Sequence, residues 1–303
     1  MRSLNSSLTG ISGILVTPFD DEDRIAPDLL APIVDRAIGA GVHILTVNGN
    51  TGEFYGLTAD EAERMAAAVC ERVDGRVPVI GGVGRSVNEA ARLASVSARA
   101  GVSALMVHQP PDPFVSPRGL KDYVQRIADA APDVPLVLYL RNDAIGSKAI
   151  EALCRITSVV GVKWATPNPL KLAAAKAAAP DHIVWVGGLA EVWAPPFYAV
   201  GARGFTSGLI NVWPERSVEI HSVLEKGDNG RAARLIEEMR VFEDVRAEEM
   251  GGTNVTGVKT ALAMMGIDCG PARPPSAWPL TTDQRERLRS FLMRNKLIAE
   301  AGT

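Results

Sequence analysis

One lysine differs from the others in its surroundings. Of the eight lysines, at positions 121, 148, 163, 171, 176, 226, 259 and 296, seven lie in segments typical of helices or loops, where a solvated charge is expected. Lys163 lies instead in the apolar run VVGVKWA, which is typical of a strand. Burial favours the neutral amine, which can attack a ketone and form an imine. Lys163 is therefore a candidate nucleophile, although a buried lysine paired with a carboxylate would fit the same pattern.

The segment 48–54, with the sequence NGNTGEF, directly follows a predicted strand. Its two glycines and its amide and hydroxyl side chains predict a tight loop with outward-facing backbone N–H groups, which can hold a carboxylate. A plain turn between a strand and a helix is the alternative. We interpret Glu53 either as a first-turn helix charge or as a structural hydrogen-bond acceptor, and we assign it no catalytic role.

Two further candidates lie in the segment LVLYLRNDAIG, where a predicted strand ends. The phenol of Tyr139 could pass protons to and from the intermediates of imine chemistry, although core packing with a satisfied hydroxyl would explain a lone tyrosine equally well. Arg141 could bind a second carboxylate through both of its nitrogens, and a salt bridge at the surface is the alternative.

The elements that must position these residues alternate between two kinds. Helical patterns at 27–40, 58–73, 87–100 and 117–131 separate β-rich runs, and Thr58 with Glu61 and Ser86 with Glu89 predict capping boxes. The eight predicted strands are 11–17, 42–48, 77–83, 104–108, 135–139, 159–164, 183–187 and 203–207. Such alternation predicts parallel strands, and eight of them without GxGxxG after the first favour a closed (β/α)8 TIM barrel over an open doubly wound sheet. Catalytic groups in such barrels lie where the strands end.

The pattern changes after the eighth strand. Only helical segments follow, at 214–226, 230–249, 254–266 and 282–300, and a Pro-rich stretch at 270–279 is interpreted as a surface connector. We therefore divide the chain into a catalytic barrel, residues 1–225, and a C-terminal α-helical extension, residues 226–303.

Composition narrows the choice of partners. The 303 residues carry a net charge of -3 without a basic stripe, which argues against nucleic acid. No stretch approaches the ~20 apolar residues of a membrane span, and no signal peptide is recognised, so we expect a soluble, cytoplasmic protein with no membrane partner. The three cysteines form no CxxC pair and the four histidines no ligand cluster, so we expect neither a metal nor another cofactor.

Four segments together resemble the dihydrodipicolinate synthase and N-acetylneuraminate lyase family over essentially the whole chain. They are VTPF at 16–19, GNTGEF at 49–54, the Tyr139 strand end, and GVKWAT at 161–166. The resemblance implies that Lys163 forms an imine with a 2-oxo acid and that Tyr139 transfers protons. It also implies a homotetramer or homodimer. The substrate-binding candidates that accompany it are Asn50 and Thr51, which would hold the carboxylate, and Thr17, Arg141, Gly188 and Ser207.

Departures from the family pattern narrow the expected substrate. True dihydrodipicolinate synthases usually carry GTTGE, TPYY and YNVPxRTG, whereas this chain has Asn50 in the loop, HQPPDP at 108–113, and Ala144 where an aldehyde-binding arginine is expected. GxTGEF, the Tyr-x-Arg-x-x-Ala segment and the Trp-Ala-Pro segment at 193–195 are similar to 5-dehydro-4-deoxyglucarate dehydratases, although Leu140 departs from that branch.

The sequence therefore leads to three hypotheses about function. The first is a Schiff-base lyase, either a dehydratase or an aldolase, that acts on a 2-oxo sugar acid. The second is the condensation of pyruvate with aspartate semialdehyde, which begins with the same imine. The third is a non-catalytic metabolite-binding barrel in which Lys163 is structural.

Overall fold

A computed structural model describes residues 3–299, and within it eight short parallel strands form a closed barrel. The strands are β1 (Ile11–Ile14), β2 (Ile44–Val47), β3 (Val79–Val83), β4 (Ala104–His108), β5 (Leu136–Leu140), β6 (Val159–Trp164), β7 (Val184–Gly187) and β8 (Phe205–Ser207). Each strand pairs with the next, and β8 pairs with β1, which closes the sheet. The predicted (β/α)8 barrel is confirmed, and the open sheet is excluded. The first strand ends at Ile14 rather than at residue 17, because the chain leaves the sheet there.

Within residues 3–299, twelve α-helices accompany the strands. They are α1 (Leu4–Leu8), α2 (Ala31–Ala40), α3 (Ala59–Val73), α4 (Val87–Ala100), α5 (Pro117–Ala130), α6 (Ser147–Cys154), α7 (Pro169–Ala178), α8 (Ala194–Ala199), α9 (Pro214–Glu225), α10 (Asn229–Gly251), α11 (Asn254–Met264) and α12 (Thr282–Arg294). Both predicted capping boxes are present, at the starts of α3 and α4. The helix predicted at 282–300 ends at Arg294, and residue 300 lies outside the described residues.

The strands are buried at nearly every position because helices cover the outside of the barrel and side chains fill the inside. The interior is packed by residues from successive strands, including Ile44 of β2, Ile80 of β3, Met106 of β4 and Val137 of β5. Leu8 of α1 packs against this layer where the strands begin. The bottom of the barrel is therefore filled, and an open space can form only where the strands end.

The C-terminal extension packs against the barrel through α10 and α11. Residues 248–250 near the end of α10 depart from helical geometry, which turns the chain into α11. The Pro-rich segment 270–279 is more than the surface connector that the sequence indicated. Its Ala272 is buried, and Arg273 forms ion pairs with Asp23 at 2.8 Å and with Glu61 at 2.9 Å, so the segment is fixed to the barrel.

The predicted division of the chain falls between α9 and α10. The described part of the chain, residues 3–299, contains no helix that is both long enough and apolar enough to cross a bilayer.

Candidate active site

Lys163 lies near the end of β6, where its side chain is 5% exposed. The strand register pairs it with Tyr139 of β5, and Nζ lies 3.8 Å from the centroid of the phenol ring. Burial, helped by the nearby charge of Arg141, lowers the pKa of Lys163 to about 7. Within residues 3–299 no carboxylate lies within ion-pair distance of Nζ. Lys163 is therefore not the buried lysine paired with a carboxylate that was the alternative interpretation.

The phenol of Tyr139 is held by the loop after β2. The side-chain amide of Asn50 donates a hydrogen bond to the phenol oxygen at 3.0 Å. Burial raises the pKa of Tyr139 to about 12, so the hydroxyl keeps its proton at neutral pH. Tyr139 can therefore donate a proton to a group beside Lys163 and recover it later.

A cavity of about 610 Å³ opens above these residues. Six of the residues expected to form the site line it, namely Lys163, Tyr139, Asn50, Thr51, Arg141 and Gly188. The structure thus brings together residues from four different strand ends, as expected for the carboxyl-terminal face of a barrel. Whether these residues bind substrate or catalyse a reaction stays a prediction.

The remaining two candidates, Thr17 and Ser207, do not line this cavity. The buried hydroxyl of Thr17 donates to the carbonyl oxygen of Gly52 at 2.7 Å, and that of Ser207 lies 3.1 Å from the hydroxyl of Ser217. Thr206, the neighbour of Ser207, lines the cavity instead. The structure therefore places Thr17 behind the loop 48–54 and turns the side chain of Ser207, at the end of β8, towards Ser217 of α9. A substrate-binding role for either residue stays a prediction.

Arg141 is an exposed arginine on the wall of the cavity. Its guanidinium makes no hydrogen bond or ion pair to any residue between 3 and 299. The surface salt bridge that was the alternative interpretation of Arg141 is therefore not formed in this structure. Its backbone is well fixed, because Gln109 Oε1 accepts hydrogen bonds at 2.7 Å from the N–H groups of both Arg141 and Asn142. Its guanidinium lies at the cavity with its charge unpaired in the described structure.

The helical extension supplies one wall of the cavity, which sequence reasoning missed. The wall consists of Arg240, Glu243, Asp244, Arg246, Ala247 and Asn254. Positions 240, 243, 244 and 247 follow the spacing of one helix face, which is the signal that could have identified them. That spacing shows that the four side chains share one face of the helix. It does not show what this face packs against, so the sequence could not predict that the helix covers the end of the barrel.

Glu53 and Lys259 form a buried ion pair beneath the loop. Lys259 Nζ lies 2.7 Å from Glu53 Oε1 and donates to the carbonyl oxygen of Pro271 at 2.8 Å. The expectation of a solvated charge at position 259 is therefore wrong, because the carboxylate that stabilises the buried ammonium comes from the distant loop 48–54. Glu53 is a structural acceptor, since its other oxygen accepts from the N–H of Arg273 at 2.7 Å.

A second buried carboxyl group lies behind the extension wall. Glu191 is fully buried and accepts a hydrogen bond from the hydroxyl of Ser217 at 2.6 Å. Burial, together with the nearby charge of Glu243, raises the pKa of Glu191 to about 7.

No cluster of three or more His, Cys, Asp or Glu side chains in the described part of the chain could hold a metal ion.

Comparison with known proteins gives a consistent picture. The model of the dihydrodipicolinate synthetase family matches residues 7–295. The chain is 31% identical over 302 residues to the 4-hydroxy-tetrahydrodipicolinate synthase of Methanopyrus kandleri, covering 97% of this chain and 99% of the relative. It is 30% identical over 279 residues to a probable 5-dehydro-4-deoxyglucarate dehydratase of Streptomyces avermitilis, covering 90% of this chain and 83% of the relative.

The fold comparison agrees with the sequence comparison. The crystal structure of dihydrodipicolinate synthase from Bacillus clausii superposes with a TM-score of 0.92 at 33% identity, covering 97% of this chain and 100% of that one. Both branches that the sequence suggested are thus represented among the relatives, at similar identities. Because the family model spans nearly the whole chain and every strand of the barrel, this protein belongs to the dihydrodipicolinate synthetase family of lyases.

Proposed function

We propose that the protein is a lyase that forms a Schiff base between Lys163 and a 2-oxo acid. The observation that carries the proposal is a buried lysine without a carboxylate partner in the described structure, whose pKa is lowered to about 7 on the wall of a large cavity. Such an amine is substantially neutral at physiological pH and can act as a nucleophile. Family membership supports the same conclusion.

The neighbouring side chains suit each step of this chemistry. Asn50 and Thr51 would hold the carboxylate of the 2-oxo acid, with its C2 carbonyl towards Lys163. The amine forms a C–N bond to C2, the carbonyl oxygen takes a proton, and water then leaves as the imine forms. Tyr139 is protonated at neutral pH and lies beside Nζ, so it can supply the proton that the departing hydroxyl needs and take one back in a later step.

The proposed substrate is a 2-oxo sugar acid, which the enzyme would dehydrate or cleave. The protonated imine accepts the electron pair that remains when C3 loses a proton, or when the C3–C4 bond breaks. In the dehydration the resulting enamine then expels the C4 hydroxyl, which takes up a proton and leaves as water. In the cleavage the C4 hydroxyl gives up its proton as C4 becomes an aldehyde. Two features support a long, acidic substrate: the cavity of about 610 Å³ exceeds the needs of a three-carbon acid, and Arg141 offers an unpaired cation on its wall. The similarity to a probable 5-dehydro-4-deoxyglucarate dehydratase favours dehydration over cleavage.

The second candidate is the condensation of pyruvate with aspartate semialdehyde. It is supported by the relatives named as dihydrodipicolinate synthases. The two candidates are distinguished by measuring turnover under two conditions. In one, a 2-oxo sugar acid is the sole substrate, and in the other, pyruvate is supplied together with aspartate semialdehyde. We expect turnover of a sugar acid, and efficient condensation would favour the second candidate instead. Absence of turnover and of imine formation with every 2-oxo acid would favour the non-catalytic barrel.

Replacing Arg141 with alanine tests how the far end of the substrate is bound. Because this guanidinium is unpaired in the described structure, a second carboxylate would meet it directly. Arg141 is exposed in the described structure, and a bound sugar acid would shield its guanidinium from solvent. We expect Arg141→Ala to lower kcat/KM for the sugar acid by the equivalent of about 2–4 kcal/mol, the scale for losing one partner of a charge pair that binding desolvates. Pyruvate has no second carboxylate, so borohydride should still trap its imine in the variant. Loss of pyruvate trapping with retained sugar-acid turnover would place Arg141 outside the distal pocket.

The pH dependence of imine formation tests the state of Lys163. The pKa of Lys163 is lowered to about 7, so its neutral fraction increases with pH through that value. We expect the trapping rate with pyruvate to rise about tenfold from pH 6 to pH 8 and then to level off, whereas an ordinary lysine would gain about a hundredfold over that interval. Since the charge of Arg141 contributes to the lowering, Arg141→Ala should move the midpoint to higher pH. A midpoint that stays above pH 9 in the wild type would contradict the assignment.

The proposed assembly is a homotetramer or homodimer in the cytoplasm, acting on a small molecule. All three cysteines are free, which suits a reducing compartment. Sedimentation velocity at micromolar concentration will give the assembly state, and a monomer throughout that range would contradict this part of the proposal.

A further inference from the structure

His108 is a buried histidine beside the proposed site that the mechanism above does not use. It ends β4 and is 1% exposed. The strand register pairs it with Tyr139, which is in turn paired with Lys163, so the three side chains follow one another across β4, β5 and β6. The imidazole meets the edge of the Tyr139 ring with the centroids 5.3 Å apart. A polar ring at this place needs an explanation in terms of what it contacts.

The contacts of His108 are made to both ends of the loop 48–54. At the start of the loop, Nε2 lies 2.9 Å from the carbonyl oxygen of Asn48. At its end, the ring of Phe54 stacks on the imidazole with centroids 4.5 Å apart and planes 16° apart. Between these two points lie Asn50 and Thr51, the proposed holders of the substrate carboxylate.

The hydrogen bond at the start of the loop fixes both the backbone and the protonation of the histidine. A carbonyl oxygen only accepts, so Nε2 must carry the hydrogen. Burial, with the charges of Lys163, Arg141 and Arg85, lowers the pKa of His108 to about 3, so the ring is neutral throughout the physiological range. Nδ1 then bears a lone pair. The ring therefore contributes a fixed donor and no charge.

The backbone around this hydrogen bond is closely constrained. Asn48 adopts a left-handed conformation with φ of 58°, which is uncommon for a residue other than glycine. Its carbonyl oxygen passes so close to β3 that a Cβ atom on Gly82 would lie 2.1 Å from it. The side-chain amide of Asn48 donates to the carbonyl oxygen of Ala62 at 2.9 Å. The start of the loop thus has one position, and His108 is the donor that satisfies its carbonyl group.

We infer that His108 is a positioning residue that clamps both ends of the loop 48–54 and thereby holds Asn50 against the hydroxyl of Tyr139. The inference rests on the proposed function, because it assigns the loop to the carboxylate of the 2-oxo acid. His108 acts through the loop and takes no part in proton transfer. Its loss therefore weakens substrate binding and loosens the loop without changing which groups titrate.

Three variants separate the two contacts of the ring. His108→Gln keeps an N–H donor but loses the aromatic face, His108→Phe keeps the aromatic face but loses the donor, and His108→Leu loses both. Each is measured as the full-length protein by two methods: amide hydrogen exchange of peptides that contain residues 48–54, and the pyruvate concentration that gives half-maximal borohydride trapping at Lys163. Circular dichroism confirms that each variant is folded.

We expect His108→Leu to speed exchange in the loop and to raise the half-saturating pyruvate concentration, each by at least about tenfold, the scale of one lost buried hydrogen bond. His108→Gln and His108→Phe should fall between this variant and the wild type. The pH midpoint of trapping should stay that of the wild type in all three.

Two results would overturn the inference. Wild-type exchange and half-saturation in His108→Leu would show that the loop does not depend on the ring. A raised half-saturation without faster exchange, or with a shifted pH midpoint, would mean that His108 contacts the substrate or titrates. Failure of the proposed function is distinguishable, because it would appear as absent trapping in the wild type, while the exchange measurement needs no imine.

Discussion

Borohydride reduction in the presence of pyruvate will add one stable mass to the protein, and peptide mapping will place it on Lys163. Reduction converts the imine to a secondary amine, which survives digestion. Lys163→Ala will lose both the adduct and measurable turnover, because the covalent route depends on this nucleophile and every later step uses the imine as its electron sink. Intact-protein mass spectrometry before and after reduction provides the measurement.

The matched control for this experiment is an exposed lysine on the same protein. Lys226 follows α9, is exposed, and does not line the cavity. Lys226→Ala should keep both the adduct and the turnover of the wild type. An adduct on another lysine, or no adduct with any 2-oxo acid at high concentration, would show that the assignment of Lys163 is wrong.

Removing the ammonium of Lys259 will destabilise the fold strongly. Its side chain is 0% exposed and that of Glu53 is 3% exposed, so Lys259→Met leaves a buried carboxylate without its partner. We expect the free energy of unfolding to fall by about 3–5 kcal/mol, measured by urea denaturation of both proteins under the same conditions. Adding Glu53→Gln to this variant should recover part of the loss, because the unpaired charge is then gone.

An exposed ion pair is the matched control. Arg155 and Glu151 lie 2.8 Å apart on the surface, with the arginine side chain 63% exposed. Arg155→Met should change the free energy of unfolding by less than about 1 kcal/mol, since solvent screens such pairs. A change below 1 kcal/mol for Lys259→Met as well would mean that the pair is relaxed or hydrated in solution, which would contradict its buried geometry.

The fold could be predicted because each strand and each helix start carries its own local signal. Short strands of three to six residues alternate with helices, and the two capping boxes mark the starts of α3 and α4. Lys163 was recognisable for a similar reason: a cation inside an apolar strand conflicts with its immediate neighbours. Both inferences use only residues that are adjacent in the sequence.

The contacts that sequence reasoning missed depend on residues far apart in the chain. Lys259 lies in a helical segment, and its burial is explained by contacts that its neighbours in the sequence do not reveal, above all the ion pair with the distant residue Glu53. Ser207 was expected at the cavity, but side chains alternate between the two faces of a strand, so Thr206 lines it instead. The sequence shows that Thr206 and Ser207 must face opposite sides of the strand. Which of the two faces the cavity is known only from the closed barrel.

If the protein is the lyase proposed above, the wall that α10 contributes places substrate recognition and reaction chemistry on different parts of the chain. The groups around Lys163 stand on strand ends, where the closed barrel fixes their spacing, while Arg240, Glu243, Asp244 and Ala247 occupy one face of a helix outside it. Changing residues on that face leaves every barrel strand intact. We therefore expect combinatorial libraries at these four positions to change which substrates the protein accepts while leaving its reaction chemistry unchanged.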